Sequence, residues 1–182
     1  MAETDTEQAA HKLPDRLGPG LDLVFCGTAA GAASARAGHY YAGPGNRFWP
    51  MLALAGITPR LLRPDEDHLL LGWRIGLTDL AKTAAGADRD IPRAAYSPER
   101  LRAHILAHAP RALAFTSLTA ARLALGARQV AGPLPPQPGY GATQLWVLPS
   151  PSGLARGHFA PEPWLALGRW LAQLREERQA DH

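Results

Sequence analysis

The stretch "LDLVFCG", residues Leu21–Gly27, decides the fold class. Its apolar residues run almost without interruption and stop at a glycine, which suits a buried strand of the kind that parallel sheets use. Downstream, "TAAGAASARAGHYYAGPGN" is small and glycine-rich and reads as a long loop with one helical turn. "NRFWPMLALAGI", Asn46–Ile57, has helical apolar spacing, with Pro50 tolerable in the first turn. "PDEDHLLLGW" reads as a short helix whose Asp65, Glu66 and Asp67 favour its N-terminal end. "IGLTDLA", Ile75–Ala81, is a second short strand or a turn. Ser97 as N-cap and Pro98 at the first helical position start a helix that runs to Pro110. "RALAFTS" is a third strand, and "LTAARLALGA" a helix closed by Gly126. After the proline-rich loop "GPLPPQPGYGAT" come a fourth strand, "QLWVLPS", and an amphipathic C-terminal helix, "PEPWLALGRWLAQLREER".

Strands that alternate with helices predict an α/β sheet with helices on both faces. Residues 1–18 read as a flexible tail and 19–178 as one domain, which 182 residues suffice to fill. Sites in such sheets form at the carboxyl ends of strands, so the loops after Phe25, Leu77 and Leu148 are the places to search.

Hydrophobic residues make up 46% of the chain and charged residues 19%, a globular balance. The single cysteine, Cys26, excludes an intrachain disulfide framework, a four-cysteine iron–sulfur cluster and a zinc finger. Inside its apolar run it reads as a buried thiol. The polar, acidic N-terminus has no signal-peptide core, and no stretch approaches a membrane span, so a soluble, cytoplasmic monomer is expected. A net charge of +3 permits nucleic-acid binding without demanding it. The positive charge is almost all arginine, since only Lys12 and Lys82 are lysines. His104 and His108 share a predicted helix face without a third ligand, and no metal site is expected.

Three segments carry a resemblance. "VFCGTAAG" resembles a motif usually written VFCGINPG, "YYAGPGNRFW" a loop ending in NRFW, and "QLWVLPSPSGLAR" the motif WVLPNPSGLSR. In this order and separation they resemble the uracil-DNA glycosylase superfamily, most closely its mismatch-specific uracil/thymine branch. The resemblance implies a three-layer α/β/α fold with a central, mainly parallel four-stranded sheet. It also implies a DNA repair enzyme that flips a deaminated base out of single- or double-stranded DNA and hydrolyses its N-glycosidic bond, with no cofactor. An N-glycosidic bond inside a stacked duplex is out of reach, so the nucleotide must be extruded and the gap filled.

By this resemblance Leu154 is the wedge, Ser150, Ser152 and Gly153 grip phosphates, and Arg156 meets a phosphate or the widowed base. Gly27, Thr28, Ala29, Ala30 and Gly31 form the base pocket, and Tyr41 stacks on the base. Asn46 either caps its helix or acts on the base, as the matching asparagine does in another branch. The departure is Ala29, which stands where the family has a water-positioning asparagine. A carboxylate near the anomeric carbon can take over, and Asp79 in "GLTDLA" is the main candidate, with an N-cap or solvated loop carboxylate as the plainer reading. His39 and His158 are weaker ones. The alternative is a protein that binds uracil or abasic sites without cleavage. A serine hydrolase using Ser150 or Ser152 lacks G-x-S-x-G and an evident partner.

Overall fold

The computed structural model describes residues 11–153 and 159–181. Its sheet has five strands in the order β2-β1-β3-β5-β4. They are β1 (Leu23–Ala30), β2 (Ile75–Ala85), β3 (Ala112–Phe115), β4 (Gly132–Pro133) and β5 (Gln144–Val147). β1, β2, β3 and β5 are the four expected parallel strands. The fifth, β4, is a correction: two residues of the proline-rich stretch pair antiparallel with β5. A two-residue strand leaves no periodicity to read, and proline is tolerated at a sheet edge, where no donor is needed.

Both faces are covered, which is why β1 is buried from Leu23 to Gly27. On one face Leu23, Phe25, Ala112, Ala114 and Trp146 pack with α2 (Phe48–Leu54) and α5 (Glu162–Ala180). Phe25 meets Phe48 edge-on at 5.1 Å and stacks near Trp164 at 5.9 Å. On the other face Val24, Cys26, Leu113, Phe115 and Val147 pack with α3 (Pro98–His108) and α4 (Leu118–Leu125). Burial pushes the Cys26 thiol well up, as an inert core thiol requires. The Ser97 and Ser117 hydroxyls accept from the amides of Arg100 and Ala120, fixing where α3 and α4 begin. α5 lies against the end of α2 at Gly168, where a Cβ would fall 2.0 Å from the Ala55 carbonyl oxygen. Among the described residues no helix is long and apolar enough to cross a membrane.

Five local expectations change. The presumed loop after Gly27 is strand as far as Ala30, followed at once by α1 (Ala32–Ala37). β2 is 11 residues long because it follows β1 across a register shift at Ala29/Ala30. "PDEDHLLLGW" is a 3-10 helix, and α3 stops at His108 with Ala109 left-handed at φ 44°. The presumed tail is also packed from Lys12 onward. Arg16 and Leu77 exchange backbone hydrogen bonds at 2.9 Å, and Leu13 is in the core. Asp15 pairs with Lys82 and Arg100, so these polar residues are anchored by long-range contacts that composition does not show.

The topology leaves a crevice. β1 and β3 are neighbours, but the chain after β1 leaves toward the α2 face and the chain after β3 toward the α4 face. Such a switch point is where open α/β sheets bind ligands.

Candidate active site

A cleft of about 730 Å³ opens at this point. Its walls are Gly27–Gly31 from the end of β1, Tyr40, Tyr41 and Asn46 from the following connection, and Asp79 from β2. Thr116 and Ser117 after β3, and Ser150–Gly153 after β5, complete it. β1 pairs with β3 only as far as Cys26, whereas its ladder to β2 continues to Ala30. Gly27 to Ala30 therefore keep one sheet neighbour and face the cleft on the other side.

Asp79 is opposite Gly27 in the β1–β2 ladder and only 4% exposed. It is neither an N-cap nor a solvated loop carboxylate. Burial pushes its carboxyl up to about 6, and Asp15 adds to this. Lys82, Arg100 and the Gly27 amide pull the other way. Lys82 is itself buried. Its ammonium donates to the Tyr40 hydroxyl at 2.9 Å and sits 3.0 Å from Asp15 Oδ1. Asp15 also accepts from Thr78 at 2.7 Å and from Arg100. Burial pushes the Asp15 carboxyl up, but Lys82 and Arg100 outweigh it and hold the group below its usual value.

Tyr41 stands on a strained backbone, with φ 53°. A non-glycine residue keeps such a conformation only where its surroundings over-determine it. Here the Tyr40 amide donates to Asp67 Oδ2 at 3.2 Å, and Trp49 Nε1 donates to the Tyr40 carbonyl at 3.1 Å. The Ala42 amide donates to Ser34 Oγ at 3.0 Å. The Tyr41 ring stacks on Phe48 at 3.8 Å with an interplanar angle of 17°, and its hydroxyl is 3.0 Å from Thr116 Oγ1. Burial pushes its phenol well up, and Asp79 adds to this, so the hydroxyl keeps its proton.

Asn46 lines the cleft, and its Oδ1 accepts from the Phe48 amide at 2.9 Å, while the N-cap position of α2 is Arg47, whose side chain makes no cap bond. His39 does not line the cleft. Its Nδ1 is 3.3 Å from Asp67 Oδ2, because the left-handed turn at Tyr41 separates the directions of the two side chains. Ser150, Ser152 and Gly153 are at the rim. A Cβ on Gly153 would fall 2.6 Å from the Pro44 carbonyl oxygen, and the Arg47 amide donates to the Pro151 carbonyl at 2.8 Å. These close contacts fasten the second motif to the loop before NRFW. Leu154, Arg156 and His158 lie outside the described residues.

Thr116 and Asp88 are among the cleft residues that escaped the sequence reading. Thr116 follows β3, whose carboxyl end the strand-end rule also covers. Asp88 accepts from Thr28 Oγ1 at 2.6 Å, and no local pattern signals it.

A family model described as the Uracil DNA glycosylase superfamily matches residues 14–172. The chain belongs to this superfamily. Membership supports a DNA glycosylase role, a hydrolase with DNA as substrate. The glycosylase fold also resembles the solution NMR structure of a Methanosarcina acetivorans protein provisionally assigned as a uracil DNA glycosylase. The TM-score is 0.60 at 22% identity, over 88% of this chain and 96% of that one. At that identity the likeness establishes the glycosylase fold alone.

Proposed function

We propose that this superfamily member is a monofunctional uracil-DNA glycosylase of the mismatch-specific type, which hydrolyses the N-glycosidic bond of an extruded uracil and leaves an abasic site. The observation that carries this reading is Asp79, a carboxylate that faces the cleft and that burial pushes up to about 6. At neutral pH it is ionised in a site of low polarity, where a charge acts strongly on a developing cation. As the bond breaks, the electron pair leaves with uracil and the sugar becomes oxocarbenium-like. Asp79 stabilises that cation and accepts the proton of the attacking water. Tyr41, with one ring face on Phe48, offers the other to the base. The Asn46 amide nitrogen and the amides of Thr28–Gly31 meet the carbonyls of uracil as charge grows on them. Ser150, Ser152 and Gly153 hold the backbone phosphates, Leu154 fills the vacated stack and Arg156 braces the DNA.

Ala29 favours a second reading, a protein that binds uracil or abasic sites without turnover, because a methyl group cannot hold water. One assay separates the two. Oligonucleotides carrying a single uracil, both single-stranded and paired, are incubated with excess protein and then treated with alkali. Free uracil and alkali-labile sites are expected. Tight binding with no base released from any substrate would establish the binding-only protein instead.

A further inference from the structure

Gly27 does not adopt a positive φ, so backbone geometry does not demand glycine there. Space does. A Cβ on Gly27 would lie 2.7 Å from Asp79 Oδ1, 3.3 Å from the Tyr41 hydroxyl and 3.4 Å from Thr116 Oγ1. Three oxygens from three chain segments thus ring one bare backbone face on the cleft floor. The two hydroxyls are 3.0 Å apart, so one donates to the other. The Cys26 carbonyl already accepts the Thr116 amide at 3.0 Å, and the Thr116 hydroxyl is 3.5 Å from it, a weak claim on that proton. The pair therefore retains hydrogen-bonding capacity toward the cleft, beside a carboxylate that can only accept while ionised.

We propose that Thr116 is a further catalytic residue: its hydroxyl, paired with that of Tyr41, holds the attacking water against the Asp79 carboxylate above Gly27. This rests on the glycosylase reading and supplies the water-holding that Ala29 cannot. In the reaction the bond between C1′ and the base nitrogen breaks, and its electron pair departs on uracil. The water oxygen bonds to C1′, its proton passes to Asp79, and Asp79 returns that proton to solvent. The uracil anion takes up a proton from solvent, so one water is consumed for each base released.

Thr116→Val keeps the shape and removes the hydroxyl, while Thr116→Ser keeps the hydroxyl. With excess enzyme, single-turnover uracil release by Thr116→Val falls about 10- to 100-fold, the loss expected for one hydrogen bond to a reacting group. Its affinity for an uncleavable 2′-fluorouridine oligonucleotide stays within about twofold, and Thr116→Ser recovers most of the rate. A Thr116→Val enzyme as fast as the wild type overturns the proposal alone. So does a loss of affinity as large as the loss of rate, or a serine variant as slow as valine. A wild-type protein that releases no base removes the glycosylase reading itself, and this proposal with it. If Thr116→Val fails to fold, a wild-type crystal structure that shows solvent decides. An ordered water bonded to Asp79, Tyr41 and Thr116 is expected, and an unhydrated or side-chain-filled floor overturns the cradle.

Discussion

Asp79→Asn is expected to stabilise the protein while disabling it. An aspartate whose pKa rises from 3.8 to about 6 on folding costs the folded state about 3 kcal/mol once both states are ionised. The sign follows from proton binding. Between these two values the folded chain holds the proton more tightly than the unfolded one, so this group's contribution to stability falls as pH rises and is lowest above about 6. Asparagine keeps an oxygen for the Gly27 amide and carries no charge, so the variant escapes the penalty. Each kcal/mol moves the melting temperature of a chain this size by roughly 2–4 °C. Scanning calorimetry should place Asp79→Asn about 6–12 °C above the wild type at pH 7.5, with the gap closing toward pH 4. At pH 7.5 uracil release should fall at least about 100-fold. A variant that melts lower than the wild type at pH 7.5, or a gap independent of pH, would refute the assignment of a buried, ionised carboxylate.

The pH profile of single-turnover release should climb through about pH 6 as Asp79 ionises and level off above it. A profile flat from pH 5 to 8 would remove Asp79 from the chemistry. Leu154→Ala should slow release from paired uracil more than from single-stranded uracil, because an unstacked base costs less to extrude. Comparable losses on both substrates would argue against a wedge. Gly168→Ala should destabilise the fold by roughly 1–3 kcal/mol, since its Cβ would press into the Ala55 carbonyl and force α5 away from α2. Denaturant melts measure this, and uracil release by the folded fraction should be unaffected.

Three strands of the parallel core were legible because each begins as a short apolar run, whereas β2, which carries Thr78, Asp79 and Lys82, read only as a strand or a turn. The cleft was legible where the chain concentrates it, in the Gly27–Gly31 and Ser150–Gly153 segments and at Tyr41. What escaped was set by partners distant in sequence. Thr116 and Ser117 read locally as the end of the third strand, and in the structure Ser117 caps the helix that follows. Nothing local says that the Tyr41 hydroxyl will meet Thr116, 75 positions away. His39 was drawn to the site by its closeness to Tyr41 along the chain, but one left-handed residue turns the two side chains to different partners. β4 was invisible because its two residues borrow their conformation from β5. That Asp79 is buried follows from its place opposite Gly27, a register that no run of residues discloses.

The packing of the first described residues along β2 bears on how the protein is handled. A version trimmed to begin at residue 19, where composition alone would cut, loses Asp15. That leaves the Lys82 ammonium, almost wholly withdrawn from water, without its counter-ion. Removing one partner of an ion pair while the other stays buried costs about 3–5 kcal/mol, a large share of the stability of an ordinary domain. Such a truncation would also change the charges facing Asp79. Deletions that reach Asp15 are therefore changes to the working interior of the molecule.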